Sequence, residues 1–342
     1  MITVKTFGVL RDGREVKSAE IKNSFGEYAE ILNYGASVNG IFIRDRKNNL
    51  TQVSHGIEDV QELGSFNKLG ITIGRVAGRI RQGRFELEGS HHQMELDQRG
   101  QFLHSGSSNW ASKLFEMDIA GEDTVNLHYY DKGGSGFQAP VDVNIRFTFD
   151  DEHRLTISYN AVPEATTLIA PTNHCYFNLN GMGDIRDDEL MIGAEEIAVK
   201  EQGIPNGERR KIENTLFDYR TASKIGDVEK KYAEDFFANH ESYDDVFLLS
   251  GKGFRGVAEL YAPSTGISME VKTDMPALVL FIPSGKPYHA VPGEISVLNP
   301  TSVCLECQYI PNAVNLTGFD KGIFRKEERY LSQTAYEFKI RA

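Results

Sequence analysis

Hydrophobic and polar positions alternate with a period of two through most of the chain. Val143, Ile145, Phe147 and Phe149 alternate with Asn144, Arg146, Thr148 and Asp150, and Leu155, Ile157, Tyr159 and Ala161 then alternate with Thr156, Ser158 and Asn160. A short polar link, Asp150-Asp151-Glu152-His153-Arg154, separates the two runs. Side chains on a strand point to opposite faces in turn, so this pattern predicts a β-hairpin with one buried face. Similar stretches at Ile2–Phe7, Glu27–Tyr34, Thr124–Tyr130, Val257–Ala262, Ser268–Thr273 and Ala277–Ile282 predict further strands. Helical spacing is scarce; Thr221–Phe237 and Gly56–Leu63 are the only short helices it predicts. Gly clusters such as Gly133-Gly134-Ser135-Gly136 punctuate the strands and suit tight turns. No Pro-rich or Ser-rich linker and no fixed-period repeat interrupts the series. Strands at this spacing predict antiparallel sheets packed as one large β-sandwich domain over residues 1–342, with two tandem sandwiches as the alternative.

Composition narrows the function more than the fold. The 342 residues carry 37 Lys and Arg against 49 Asp and Glu, a net charge of −12. That balance disfavours a nucleic-acid partner, since phosphate backbones are held by clustered cations. The most apolar late stretch, Ala277–Ile282, is far short of the ~20 residues that span a bilayer, so no membrane partner is expected. The N-terminal sequence has neither a basic segment nor an apolar run of signal-peptide length. Three cysteines argue against a disulfide framework, and a cytoplasmic location is the simplest expectation.

Most motif readings fail on context. Gly251-Lys252-Gly253 and Gly285-Lys286 lack the upstream Gly and the following Ser or Thr of a phosphate-binding loop. Cys304-Leu305-Glu306-Cys307 has the spacing of a redox or zinc pair, but it sits in a strand-like run. Residues three apart on a strand point to opposite faces, so the two thiols should diverge. The same alternation puts Glu306 with Cys304 and Gln308 on one face, and Leu305, Cys307 and Tyr309 on the other, apolar one. Glu306 read alone is an ordinary half-exposed carboxylate. His174, set among Asn173, Tyr176, Phe177 and Asn178, reads alone as a buried structural histidine, and so does His104.

Taken in series, these segments resemble the aldose 1-epimerase (galactose mutarotase) family. Gly74-Arg75-Val76-Ala77-Gly78-Arg79-Ile80 is similar to its Gly-Arg-x-Ala-Asn-Arg-Ile motif, and Leu103-His104-Ser105-Gly106 to its Leu-His-Gly-Gly. Thr172-Asn173-His174-Cys175-Tyr176-Phe177-Asn178-Leu179 nearly repeats Thr-Asn-His-Ser-Tyr-Phe-Asn-Leu. Gly203 to Glu208, Tyr243 to Phe247, and Leu305 through Asn315 follow in the family's order. The resemblance implies a single β-sandwich with a sugar cleft, acting on a small aldose as a monomer or weak homodimer. It implies a reaction that moves protons alone and needs no cofactor or metal. Carried over by motif position, Glu306 is the base on the C1 hydroxyl and His174 the acid at the ring oxygen. Arg79, His104, Tyr176 and Asp244 bind the sugar.

Four positions depart from the family pattern. Gly78 stands for Asn, Asp245 for His, Asn312 for Asp, and Val279 falls where a Gln is expected. Kept catalytic positions beside an altered fringe imply the family's chemistry with shifted specificity, toward a disaccharide reducing end or another hexose. Three other readings share the architecture. They are a non-catalytic carbohydrate-binding sandwich, a hexose-phosphate epimerase needing more cations at the cleft, and a metal enzyme using His104, His174 and Glu306.

Overall fold

The structure, a computed structural model, describes residues 1–63, 69–97, 100–227, 242–283 and 301–341, without the Ser242 side chain. The alternating hairpin forms as its pattern dictates. Val141–Phe149 and Arg154–Pro163 pair antiparallel, with Phe149 opposite Leu155, and Val143, Ile145, Phe147, Leu155 and Ile157 are all buried. The Asp150 carboxylate fastens the turn by accepting the N–H groups of Glu152 and Arg154 at 3.0 and 3.2 Å, as a short Asx side chain does best.

This hairpin lies within a nine-stranded sheet. Its order is Glu116–Ile119, Thr124–Asp131, Val141–Phe149, Arg154–Pro163, Tyr330–Ile340, Ile267–Thr273, Arg255–Tyr261, Glu189–Ile192 and Ser223–Lys224. A five-stranded sheet runs Ile204–Lys211, Ala194–Glu201, Ser242–Leu249, Ala277–Pro283 and Cys304–Gln308. A second five-stranded sheet holds the N-terminal strands from Ile2–Val9 to Leu50–Gln52. Every pairing between these strands is antiparallel. All three sheets feed one buried cluster. Leu278, Leu280, Leu305 and Cys307 meet Ile157, Met269, Val271, Tyr336 and Phe338 there, with Ile31 and Val38 from the N-terminal sheet. The architecture is an all-β sandwich, as the period-two pattern predicts.

Both helix expectations need correction. Within Gly56–Leu63 only one 3₁₀ turn forms, Val60–Glu62. Asp59 and Glu62 cap each other there, and Leu63 is already extended. In Thr221–Phe237, Ser223–Lys224 instead pairs as an edge strand with Glu189 and Leu190. Helical backbone begins only at Ile225, and residues 228–237 lie outside those described, as does the Gly285-Lys286 pair. Among the described residues, no helix is long and apolar enough to cross a membrane.

Arg75, the first arginine of the glycine-rich segment, is an anchor of the fold. It is buried together with Asp131. Its Nε and Nη2 lie 3.0 and 2.9 Å from Asp131 Oδ2, and its Nη1 donates to the Ala139 carbonyl at 2.7 Å. The Trp110 indole N–H donates to the same Asp131 oxygen at 2.8 Å. Trp110 lies so close to Gly74 that an added Cβ would fall 1.9 Å from its ring, so only Gly fits there.

Candidate active site

Glu306 is held by its neighbours along the strand. Leu305 and Cys307 insert into the core, so Glu306 projects from the opposite face of Cys304–Gln308. It is nevertheless 4% exposed, not the half-exposed carboxylate that its strand position alone suggests. Its cross-strand partner is Val279, whose own partner on the next strand is Val246. Both valines pack with Ile310, Ala313 and Leu316 into a small apolar cluster. Val279, expected where a sugar-contacting Gln would lie, is therefore an apolar neighbour of the carboxylate.

His174 follows the two-residue strand Thr172–Asn173, which pairs with Thr72–Ile73. Its backbone N–H donates to Ile71 O at 2.9 Å, and its carbonyl accepts the Gly70 N–H at 3.0 Å. The Thr172 hydroxyl donates to the Cys307 carbonyl at 2.9 Å, which ties this segment to the strand that bears Glu306. His174 Nε2 lies 3.5 Å from Glu306 Oε1, and both residues are buried. The Tyr176 ring stacks on the imidazole at 4.9 Å, and Phe281 meets both rings edge-on. Burial, with Cys304 and Glu306 nearby, pushes the Tyr176 phenol well above its usual range. Tyr176 is thus a neutral wall at any ordinary pH.

The other expected residues close around this pair. His104 lies 6.1 Å from His174, ring centre to ring centre. The Gly78 N–H donates to His104 Nδ1 at 3.1 Å, and the His104 N–H returns to the Gly78 carbonyl at 3.0 Å. Since Nδ1 accepts, the proton of a neutral His104 is assigned to Nε2, which is left as a donor. Arg79, opposite Leu103 in a short ladder, sends Nη1 to within 3.5 Å of Asp244 Oδ2, and both side chains are partly exposed. Asp244 is cross-strand from Phe281, which is cross-strand from Cys304. All six expected residues thus fall on one side of the five-stranded sheet or along its edge. Phe281 is an addition to the set. The continuous apolar run Ala277–Ile282 hides which of its side chains leave the core.

The departures from the family pattern mostly serve the framework. Asn312 donates from Nδ2 to the Pro205 carbonyl at 3.1 Å and accepts the Arg81 N–H at 3.0 Å; a carboxylate could not make the first bond. Gly78 has a φ of +73°, and a Cβ there would meet the Pro311 ring at 2.7 Å. Asp245 points away from Asp244, is buried, and lies 2.8 Å from Lys200 Nζ, which also donates to the Asp244 carbonyl.

The cysteines give no redox centre. Cys175, Cys304 and Cys307 form no disulfide and are buried, and burial pushes the Cys307 thiol up to about 12. Among the described residues no group of three or more His, Cys, Asp or Glu could hold a metal ion. The arrangement provides a buried carboxylate beside an imidazole, two further hydrogen-bonding groups of opposite charge, and aromatic walls. These are the parts for moving protons on a polar ring.

Known proteins resemble this chain along its whole length. The aldose 1-epimerase family model matches residues 17–337. Galactose mutarotase of Sus scrofa is 27% identical over 346 residues, covering 99% of this chain and 99% of that protein. Aldose 1-epimerase of Escherichia coli K12 is 26% identical over 339 residues, 96% of each. Among solved structures, the galactose 1-epimerase of Lactobacillus acidophilus aligns with a TM-score of 0.85 at 23% identity, covering 100% of this chain and 99% of that one. An aldose epimerase homologue from C. elegans also reaches 0.85, at 21% identity, covering 94% and 98%.

Proposed function

Because the chain belongs to the aldose 1-epimerase family, we propose that Glu306 and His174 are the base and acid with which it interconverts the α and β anomers of an aldose. The enzyme is an isomerase. Opening the pyranose requires a proton to leave the C1 hydroxyl and another to reach the ring oxygen as the C1–O5 bond breaks. Both oxygens are bonded to C1, so the groups serving them must stand within a few ångströms of each other. The observation that carries the assignment is the 3.5 Å approach of His174 Nε2 to Glu306 Oε1 in a buried setting.

The Glu306 carboxylate takes the hydroxyl proton, and protonated His174 gives its own to O5. The open aldehyde turns about C1–C2, and either face of its carbonyl can be attacked by the C5 hydroxyl. Closure sends the protons back, from the C5 hydroxyl to His174 and from Glu306 to the new C1 oxygen, so no proton is gained or lost. His104, donating from Nε2, and the Arg79–Asp244 pair hold ring hydroxyls. Tyr176 and Phe281 supply apolar surface for the sugar's C–H face. Glucose, galactose and the reducing end of a disaccharide such as maltose are the candidate substrates.

Polarimetry on freshly dissolved α-D-glucose, α-D-galactose and maltose tests the reading. The wild-type protein should speed the drift to equilibrium for at least one of them. Glu306→Gln and His174→Asn should each slow it by about 10²–10⁴-fold with the unfolding midpoint little changed. Near-normal turnover in Glu306→Gln sinks the acid–base assignment. A wild-type rate equal to the spontaneous one leaves only a carbohydrate-binding sandwich.

A further inference from the structure

The outer face of the nine-stranded sheet carries a cavity of about 720 Å³ that shares no residue with the catalytic cluster. Asn126, Arg146, Ser158 and Gln333 stand in one cross-strand row over four adjacent strands. Asn144, Asn160 and Leu331 form the next row on the same face. With strands ~4.8 Å apart and same-face residues ~7 Å apart, the two rows cover roughly 14 by 7 Å. That footprint and volume suit a ligand somewhat larger than a hexose. The intervening residues Val125, Ile145, Phe147 and Ile157 point into the core, which separates this face from Glu306 and His174.

Apart from Leu331 the lining residues are polar in kind, although most of the surface they present to the cavity is apolar, and their charge is unbalanced. Arg146 and Arg329 both border the cavity and are exposed. Among the described residues neither has a carboxylate within ion-pair distance; other arginines such as Arg11 and Arg84 share this, and what sets these two apart is that both border one cavity. Two uncompensated guanidiniums at one cavity, on a chain of net charge −12, mark a place for a compact anion. Asp274 is the one acid in the lining. Its Oδ1 accepts the Gln333 N–H at 3.0 Å. The rest offers amide and hydroxyl groups. Asn126 donates to Asn144 at 3.3 Å, Gln333 donates to Ser158 at 3.2 Å, and the buried Asn160 Oδ1 has no hydrogen-bond partner. An unmet acceptor beside donors of both kinds is suited to sugar hydroxyls.

We propose that this outer cavity is a second, non-catalytic site that binds a phosphorylated sugar, with the phosphate between Arg146 and Arg329 and the hydroxyls on the Asn126–Asn144–Asn160 amides. Calorimetric titration of the full chain with glucose 6-phosphate, glucuronate, inorganic phosphate and glucose tests it. The wild-type protein should bind glucose 6-phosphate at least tenfold more tightly than the other three. The double variant Arg146→Ala, Arg329→Ala should lose at least tenfold of that affinity while its polarimetric turnover stays at the wild-type value. Undetectable binding, or affinity untouched by the double substitution, overturns the site. Equal binding of glucuronate overturns the phosphate assignment, and equal binding of inorganic phosphate overturns the sugar half. None of these outcomes bears on Glu306 and His174, so the catalytic reading stands or falls separately.

Discussion

Asp244 and Asp245 are adjacent in sequence yet do different work, because successive side chains on a strand leave opposite faces. Asp244 reaches Arg79 on the proposed sugar face, while Asp245 turns to Lys200. Lys200 grips both, one through its carboxylate and the other through its main-chain carbonyl. We propose that it positions Asp244 through these two contacts. Lys200→Met alone would strand the Asp245 charge, a cost of about 3–5 kcal/mol. Replacing both partners, Lys200→Met with Asp245→Leu, removes that penalty and frees the Asp244 backbone. We expect KM for the sugar to rise about tenfold, the equivalent of one lost charged hydrogen bond, with kcat within a factor of two or so. Steady-state polarimetry separates the two constants; a fall in kcat alone would refute the positioning role.

At the scale of elements, the segment Gly74–Ile80 divides its labour between two arginines. Arg75 is locked inside with Asp131 and Trp110, and Arg79 emerges toward Asp244. Arg75→Leu should cost about 3–5 kcal/mol by leaving Asp131 charged and buried, measurable as a lower urea midpoint. Arg75→Leu combined with Asp131→Leu should recover much of it. Local pattern could not separate these arginines, since the segment is too short to show a face; only the motif resemblance singled out Arg79. Longer elements were easier to read. The runs Val143–Phe149 and Leu155–Ala161 have one face in the core and one outside it, so polarity labels each side chain directly. Ala277–Pro283 is apolar on both faces, because Val279 is covered by the Ile310–Leu316 segment while Leu278 and Leu280 face the main core. Alternation likewise told which face Glu306 takes, but not that other chain segments would cover it. His174 and His104 were visible only as motif members. Nothing in local pattern brings residues from distant segments to one carboxylate.

Across the whole molecule, two carboxyl groups give stability opposite pH trends. Burial pushes Asp188 up to about 7, only partly offset by the Asn180 amide that donates to it at 2.8 Å. Its proton is held more tightly in the folded chain, so this contribution is complete below its ordinary value of 3.8 and fades as pH climbs through about 7. Asp188→Asn should flatten that decline and raise the thermal midpoint at pH 8 relative to wild type, with little difference at pH 4. Glu337 runs the other way. Lys272 and Lys339 hold it at about 2, so its contribution is present above 4.5 and is lost as pH falls toward 2. Denaturation curves taken every pH unit from 3 to 8 would resolve both, and an unchanged slope in Asp188→Asn would discount the buried acid.

The single bond from the Thr172 hydroxyl to the Cys307 carbonyl bridges 135 positions of chain. His174 lies beside one end of that bridge and Glu306 beside the other, so fragments cut between the two proposed proton-handling groups should be inert until they reassociate. During refolding, catalysis should return no sooner than the most distant strand pairings close, since long-range closure is the slow part of β-sheet assembly. Recovered optical rotation rate is then an internal gauge of completed architecture, which backbone circular dichroism, reporting early hairpins, would overestimate.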